Sequence, residues 1–91
     1  MLTKFISEFI GTFFFLAVIL ATGEAIPIAI ALGGAIFLTA KISGGNLNPA
    51  VSTMLFAKGD LDAPTYIGYV IAQVLGGLAA LLFFKSTIGA K

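Results

Sequence analysis

The sequence predicts an all-α membrane protein built from three transmembrane helices and one reentrant half-helix. Hydrophobic residues make up 59% of the 91 and charged residues only 10%, against roughly 25% charge in soluble globular domains. Three apolar runs approach the ~20 residues that a helix needs to cross the hydrocarbon layer. Between the second and third lies Ser43-Gly44-Gly45-Asn46-Leu47-Asn48-Pro49-Ala50-Val51, a polar, glycine-rich interruption that closes on a helix start.

The first span is Phe5 to Ala21, apolar apart from Ser7, Glu8 and Thr12. Its amino end, Met1 to Lys4 ahead of an apolar run, has the outline of a secretory leader, but Gly23-Glu24-Ala25 makes a poor processing site, so the run is read as a span. Glu24 and Pro27 punctuate a short connection, and Ile28 to Ile42 forms the second span, rich in Ala and Gly and closed by Lys41. So short a connection requires a tight antiparallel pair.

Asparagine is a preferred helix N-cap, and proline suits the first turn because the N–H it lacks would have had no intrahelical partner there. Asn48-Pro49-Ala50 therefore reads as a helix start, and Pro49 to Ala57 as a helix too short to cross. The glycines and asparagines ahead of it suit irregular backbone. Lys58-Gly59-Asp60 ends the short helix and returns the chain to the side it left. Asp60 and Asp62 then precede the third span, Pro64 to Phe84, which finishes at Lys85. Along that span Gly68, Ala72, Gly76 and Ala80 recur at four-residue intervals, a stripe that lets helices approach closely in lipid and is read as a packing seam without chemistry.

Composition also excludes. A net charge of +1 is too small to suggest nucleic acid as a partner. With neither cysteine nor histidine there is no disulfide framework, no thiolate chemistry and no metal site built on those ligands, and no cofactor is expected. Residues 1–91 leave no space for a soluble domain and read as a single transmembrane unit. A loop followed by a helix N-terminus between spans implies a half-helix aiming its positive dipole end at the bilayer centre.

The run Ser43 to Ser52 closely resembles the first Asn-Pro-Ala loop of the aquaporin and glycerol-facilitator family, usually written SGAHLNPAVT, with glycine for alanine at 45 and asparagine for histidine at 46. Glu8-Phe9-Ile10-Gly11-Thr12 in the first span, and Tyr66, Ala72-Gln73 and Gly76 in the third, resemble the family at matching distances. The resemblance covers essentially the whole chain and implies one half, one inverted repeat, of the aquaporin fold: a channel rather than an enzyme. Family members resemble two inverted copies of such a unit, whereas one motif is present here. The resemblance therefore implies an antiparallel homodimer in the bilayer, its two Asn-Pro-Ala half-helices meeting at the midplane. If the family's tetramers carry over, four pores take eight chains. Lys4, Lys41 and Lys58 fall on one side and Lys85 and Lys91 on the other. This near-balance of basic residues permits insertion both ways, so a multi-pass protein of dual topology is expected.

By resemblance, Asn48, with Pro49 and Ala50, forms the pore motif: its side-chain oxygen caps the half-helix while its amide N–H groups donate to a permeating oxygen. The carbonyls of Gly44, Gly45, Asn46 and Leu47 would supply acceptors, since irregular backbone at this depth is tolerated where it lines water or is buried in protein. Glu8 would hold the loop backbone, with Gln73 as its counterpart from the third span. Thr12, Ser52 and Thr53 are most simply read as bonding to backbone within their helices. Water-specific members narrow the pore with an arginine three residues after the motif asparagine of their second half. Here that place is Val51, and the family's spacing, carried over by resemblance, would draw a ring from Ile28 of one chain and Ile36, Asn46 and Val51 of its partner. Such an uncharged ring implies passage of water and of small neutral solutes such as glycerol. Two other readings stay open: the first half of a split channel completed by a different chain, and a small proton-coupled secondary transporter using Glu8.

Overall fold

The computed structural model describes residues 1–89; Lys91, counted in the charge balance, lies outside them. Among the described residues there are four helices: α1 Leu2–Thr22, α2 Ala25–Ser43, α3 Pro49–Lys58 and α4 Ala63–Ser86. Three of them, α1, α2 and α4, are long and apolar enough to cross a membrane. The chain is thus of the all-helical membrane class, with the three spans and one short helix that the resemblance to half an aquaporin fold implies.

Each span is longer than its apolar run. α1 begins at Leu2 and takes in Lys4, because a long basic side chain at a helix end can reach polar surroundings without breaking the helix. Pro27 is not part of a connection: it sits inside the first turn of α2, where no hydrogen-bond partner for its nitrogen is needed, and Glu24 is the extended N-cap. Only Gly23 and Glu24 separate α1 from α2. Gly23 reverses the chain at φ 62°, and its N–H closes α1 on the Ile19 carbonyl at 2.9 Å. Asp62 caps α4 by accepting from the Thr65 N–H at 2.9 Å. Hydrogen bonding from Thr65, helped by the charge of Lys4, holds this carboxyl below the usual carboxylate range.

α1 is the central helix, packed against both α2 and α4, while α3 packs on α4. The small-residue stripe of α4 faces α1. A Cβ added at Gly76 would stand 2.7 Å from the Phe9 carbonyl oxygen, and Ala80 is fully buried. Phe5 meets Tyr69 edge-on at 6.1 Å and Phe13 meets Phe83 at 5.8 Å, so α1 and α4 run parallel. The interior is polar and the outside greasy: Glu8, Ser52, Thr12 and Gln73 are at most 1% exposed, whereas Phe37 is 82% and Leu82 68% exposed. In water this inversion would cost stability. In lipid it is the favourable arrangement, because tails are as apolar as leucine.

Candidate functional site: the reentrant loop and its buried acceptor

The loop runs inward and α3 returns. Gln73 is the eleventh residue of α4, about 15 Å along its axis at 1.5 Å per residue, close to mid-depth of a ~30 Å layer. The first turn of α3 lies at that level, where Gln73 Nε2 donates to Ser52 Oγ at 2.9 Å. Its later turns lie nearer the start of α4: Thr53 Oγ1 and Tyr66 Oη are 2.8 Å apart, and Phe56 stacks on Tyr66 with ring centres 4.5 Å apart. The positive end of the α3 dipole therefore points at the middle of the layer.

Asn48 is the N-cap of α3, extended at φ −159°, and its Oδ1 accepts from the Ala50 N–H at 2.7 Å. Pro49 occupies the first helical position. Asn48, Pro49 and Ala50 are exposed, and the Asn48 Nδ2 group donates to no acceptor among the described residues, so it is free for an outside oxygen. Beside it opens a cleft of about 350 Å³ lined in part by Thr12, Phe15, Leu47, Asn48 and Gln73.

The backbone N–H groups of the two residues before Asn48 converge on one side chain. Glu8, fully buried on α1, accepts from the N–H groups of Asn46 at 3.1 Å and Leu47 at 2.8 Å, from Gln73 Nε2 at 2.8 Å, and from Ser43 Oγ at 2.7 Å. Four donors converge on two oxygens, matching the lone pairs of a carboxylate. Loop amides that would otherwise be orphaned away from water are thereby satisfied. Gly44 and Gly45 carry φ 91° and 62°, and a Cβ at Gly45 would stand 3.1 Å from the Ile36 carbonyl oxygen, so loop and α2 approach closely there.

Several hydroxyls act differently from their sequence reading. Ser52 does not bond back along its helix: its Oγ accepts from Asn46 Nδ2 at 3.0 Å and from Gln73 Nε2, tying loop, α3 and α4 together. Thr12 Oγ1 finds no partner among the described residues, as is true of Gln73 Oε1. Thr53 does bond to the Pro49 carbonyl, at 2.8 Å. Ser7, Ser43 and Tyr69 have no role that the sequence reveals, yet Ser7 and Ser43 hydroxyls pair at 2.9 Å and Tyr69 donates to the Ser43 carbonyl at 2.7 Å. The one signal of Ser7 and Tyr69 is polarity inside an apolar span, and that of Ser43 is its place at the head of the motif run.

Of the four residues expected to form a ring, Ile36 lies against Gly45, Val51 is half-buried in the first turn of α3, and the Asn46 side chain is turned inward to Ser52 at 5% exposure. Ile28 stands apart within one chain, eight residues before Ile36 on α2, about 12 Å along the axis. Among the described residues no group of three acidic side chains gathers where a metal ion could sit. What this site offers is hydrogen bonding: a free amide and a helix dipole at mid-depth, both backed by a satisfied carboxylate.

The family model for "Major intrinsic protein" matches residues 1–91. The chain is 38% identical to "Glycerol uptake facilitator protein-like 6" of Lactiplantibacillus plantarum, over 96% of this chain and 44% of that protein. It is 40% identical to "Aquaporin PIP2-7" of Arabidopsis thaliana, over 89% of this chain and 35% of that protein. It is also 32% identical to "Probable aquaporin TIP5-1" of the same plant, over 92% and 40%. The chain thus spans less than half the length of these relatives. No solved structure matches it.

Proposed function

Since the chain belongs to the major intrinsic protein family, we propose that it supplies one half of a transmembrane channel for water and small neutral solutes such as glycerol. The observation that carries this reading is the capped N-terminus of α3 at mid-depth, with the Asn48 amide free beside an open cleft. A solute oxygen accepts from Asn48 Nδ2, and the loop carbonyls of residues 44–47 accept from its hydroxyl groups. The helix dipole disfavours cations at the same point.

One half-helix leaves the other half of the passage unlined. A second, antiparallel copy brings a second Asn48 from the opposite leaflet, and four such pairs make an assembly of eight chains. The constriction is then the uncharged ring of Ile28 from one copy with Ile36, Asn46 and Val51 from the other, alike at both ends, and residues 1–91 act as one repeat unit inserted in both orientations. Relatives more than twice as long favour a second reading, in which a different polypeptide completes the pore. The Glu8 oxygens are already filled by internal donors, which supports a holding role over that of a transporter's coupling carboxylate.

The test is the purified chain alone in lipid vesicles under sorbitol and glycerol gradients. Swelling and shrinking well above that of empty vesicles, linear in the gradient, is expected. Permeability that appears only on adding another polypeptide selects the split channel. Saturable flux driven by a proton gradient selects the transporter.

A further inference from the structure

Leu47 is held more tightly than its place in a loop requires. Its φ is 57°, the one positive value outside glycine among the described residues, in a region that side-chain-bearing residues adopt at a cost in energy. It is 2% exposed. Its N–H donates to Glu8 Oε1 at 2.8 Å, and its side chain fills the space left by the missing side chain of Gly11, one turn along α1: a Cβ there would lie 2.6 Å from Leu47 Cδ2. Thr39 of α2 closes the same seat, with its Cγ2 3.2 Å from that Cβ position. Backbone and side chain of Leu47 are therefore both fixed by neighbouring spans, and its immediate neighbour in the chain is Asn48.

We propose that Leu47 is a positioning residue for permeation: wedged against Gly11, it sets how far Asn48 projects across the pore, and the Gly11–Leu47 pair thereby governs discrimination between water and glycerol. The proposal rests on the reading that Asn48 meets the solute. Its physical basis is the short lever between seat and amide. Leu47 and Asn48 share one peptide plane, and a left-handed residue cannot relax without swinging its successor. A small displacement of the Asn48 amide weighs more on glycerol than on water, because the wider solute fills more of the passage where it meets that amide.

The chemistry of the pair gives a compensation test. Gly11→Ala drives a methyl group toward Leu47 Cδ2, Leu47→Ala empties the seat, and the double variant Gly11→Ala/Leu47→Ala puts one methyl group back into the seat without the clashing atom. Each single variant should change the water-to-glycerol permeability ratio by about threefold or more. The double variant should return to within about twofold of the unaltered protein, the size of coupling expected of residues in contact. In parallel, the side-chain amide signal of Asn48 is followed by NMR in detergent micelles, where it should shift in both single variants and return in the double. An unmoved ratio, equal loss of both solutes, a double variant that merely multiplies the single effects, or an Asn48 signal indifferent to Gly11→Ala would each overturn the proposal. Should the unaltered chain conduct neither solute under any completion, the channel reading fails, and the Asn48 signal alone then decides whether Leu47 positions it.

Discussion

The two halves of α1 meet different surroundings. Every buried residue of the helix, Ser7, Glu8, Gly11 and Thr12, lies in its first half, where the loop returns and Glu8 gathers the amides of Asn46 and Leu47. From Phe13 to Thr22 no residue is buried, and no reentrant segment lies alongside among the described residues. Irregular backbone at membrane depth demands buried acceptors and donors, and the first half provides them. The second half offers apolar surface and a plain seam with α4. The polar centre is therefore built up on one side of mid-depth and, among the described residues, unlined on the other.

The contrast is tested most severely at Glu8. Glu8→Ala removes an acceptor shared by four buried donors and leaves the Asn46 and Leu47 N–H groups with none, and it is expected to destabilise the fold by about 3 kcal/mol or more, read as loss of the folded species on heating in detergent. Substitutions of similar size on the exposed face of the second half, such as Phe14→Ala, should leave it nearly unchanged.

The seam is next. Gly76→Ala sets a methyl 2.7 Å from the Phe9 carbonyl oxygen and should cost about 1–3 kcal/mol by forcing α1 and α4 apart. Asn48→Ala removes the α3 cap and should cost about 1 kcal/mol. Its effect on permeability should exceed its effect on melting if the amide meets the solute, and vesicle swelling compared with thermal denaturation separates the two.

Gly33→Ala probes the unlined side from the opposite direction. A Cβ there meets nothing within 4 Å, so helix propensity alone should stabilise α2 by up to about 1 kcal/mol. Loss of assembly on this substitution would show that α2 is covered by a partner.

The weakest effect is at Asp62, exposed at the membrane edge. Its carboxyl is lowered in the folded state by Thr65, so its contribution is present above the unfolded value and is lost as pH falls through the folded one. Melting temperature should therefore drop slightly on acidification into the carboxylate range. Asp62→Asn, which still caps, should flatten that slope.

Much of this architecture is legible because each signal is local. The three spans, the short helix behind Asn48 and the α4 stripe follow from apolar run length, capping and four-residue spacing. The misreadings are local too: Pro27 reads as punctuation, although the first turn of a helix tolerates it. Ser52 reads as bonding within its own helix because serine commonly bonds back, and nothing in the sequence says that Asn46 and Gln73, six and twenty-one residues away, both reach its hydroxyl. Glu8 stands out as an ionisable residue in a span, but the donors around it come from residues 35 to 65 positions distant.

Residue order alone was enough to specify the solvent of this protein, its helices and the place where the chain dips into the layer, since hydrophobic length, caps and glycine act over a few residues. That α1 is central, that a strained Leu47 rests on Gly11, and that one carboxylate satisfies the loop emerged solely from the folded arrangement. Those outcomes depend on which distant groups become neighbours, and in a membrane interior every polar group must find such a neighbour or remain unpaired.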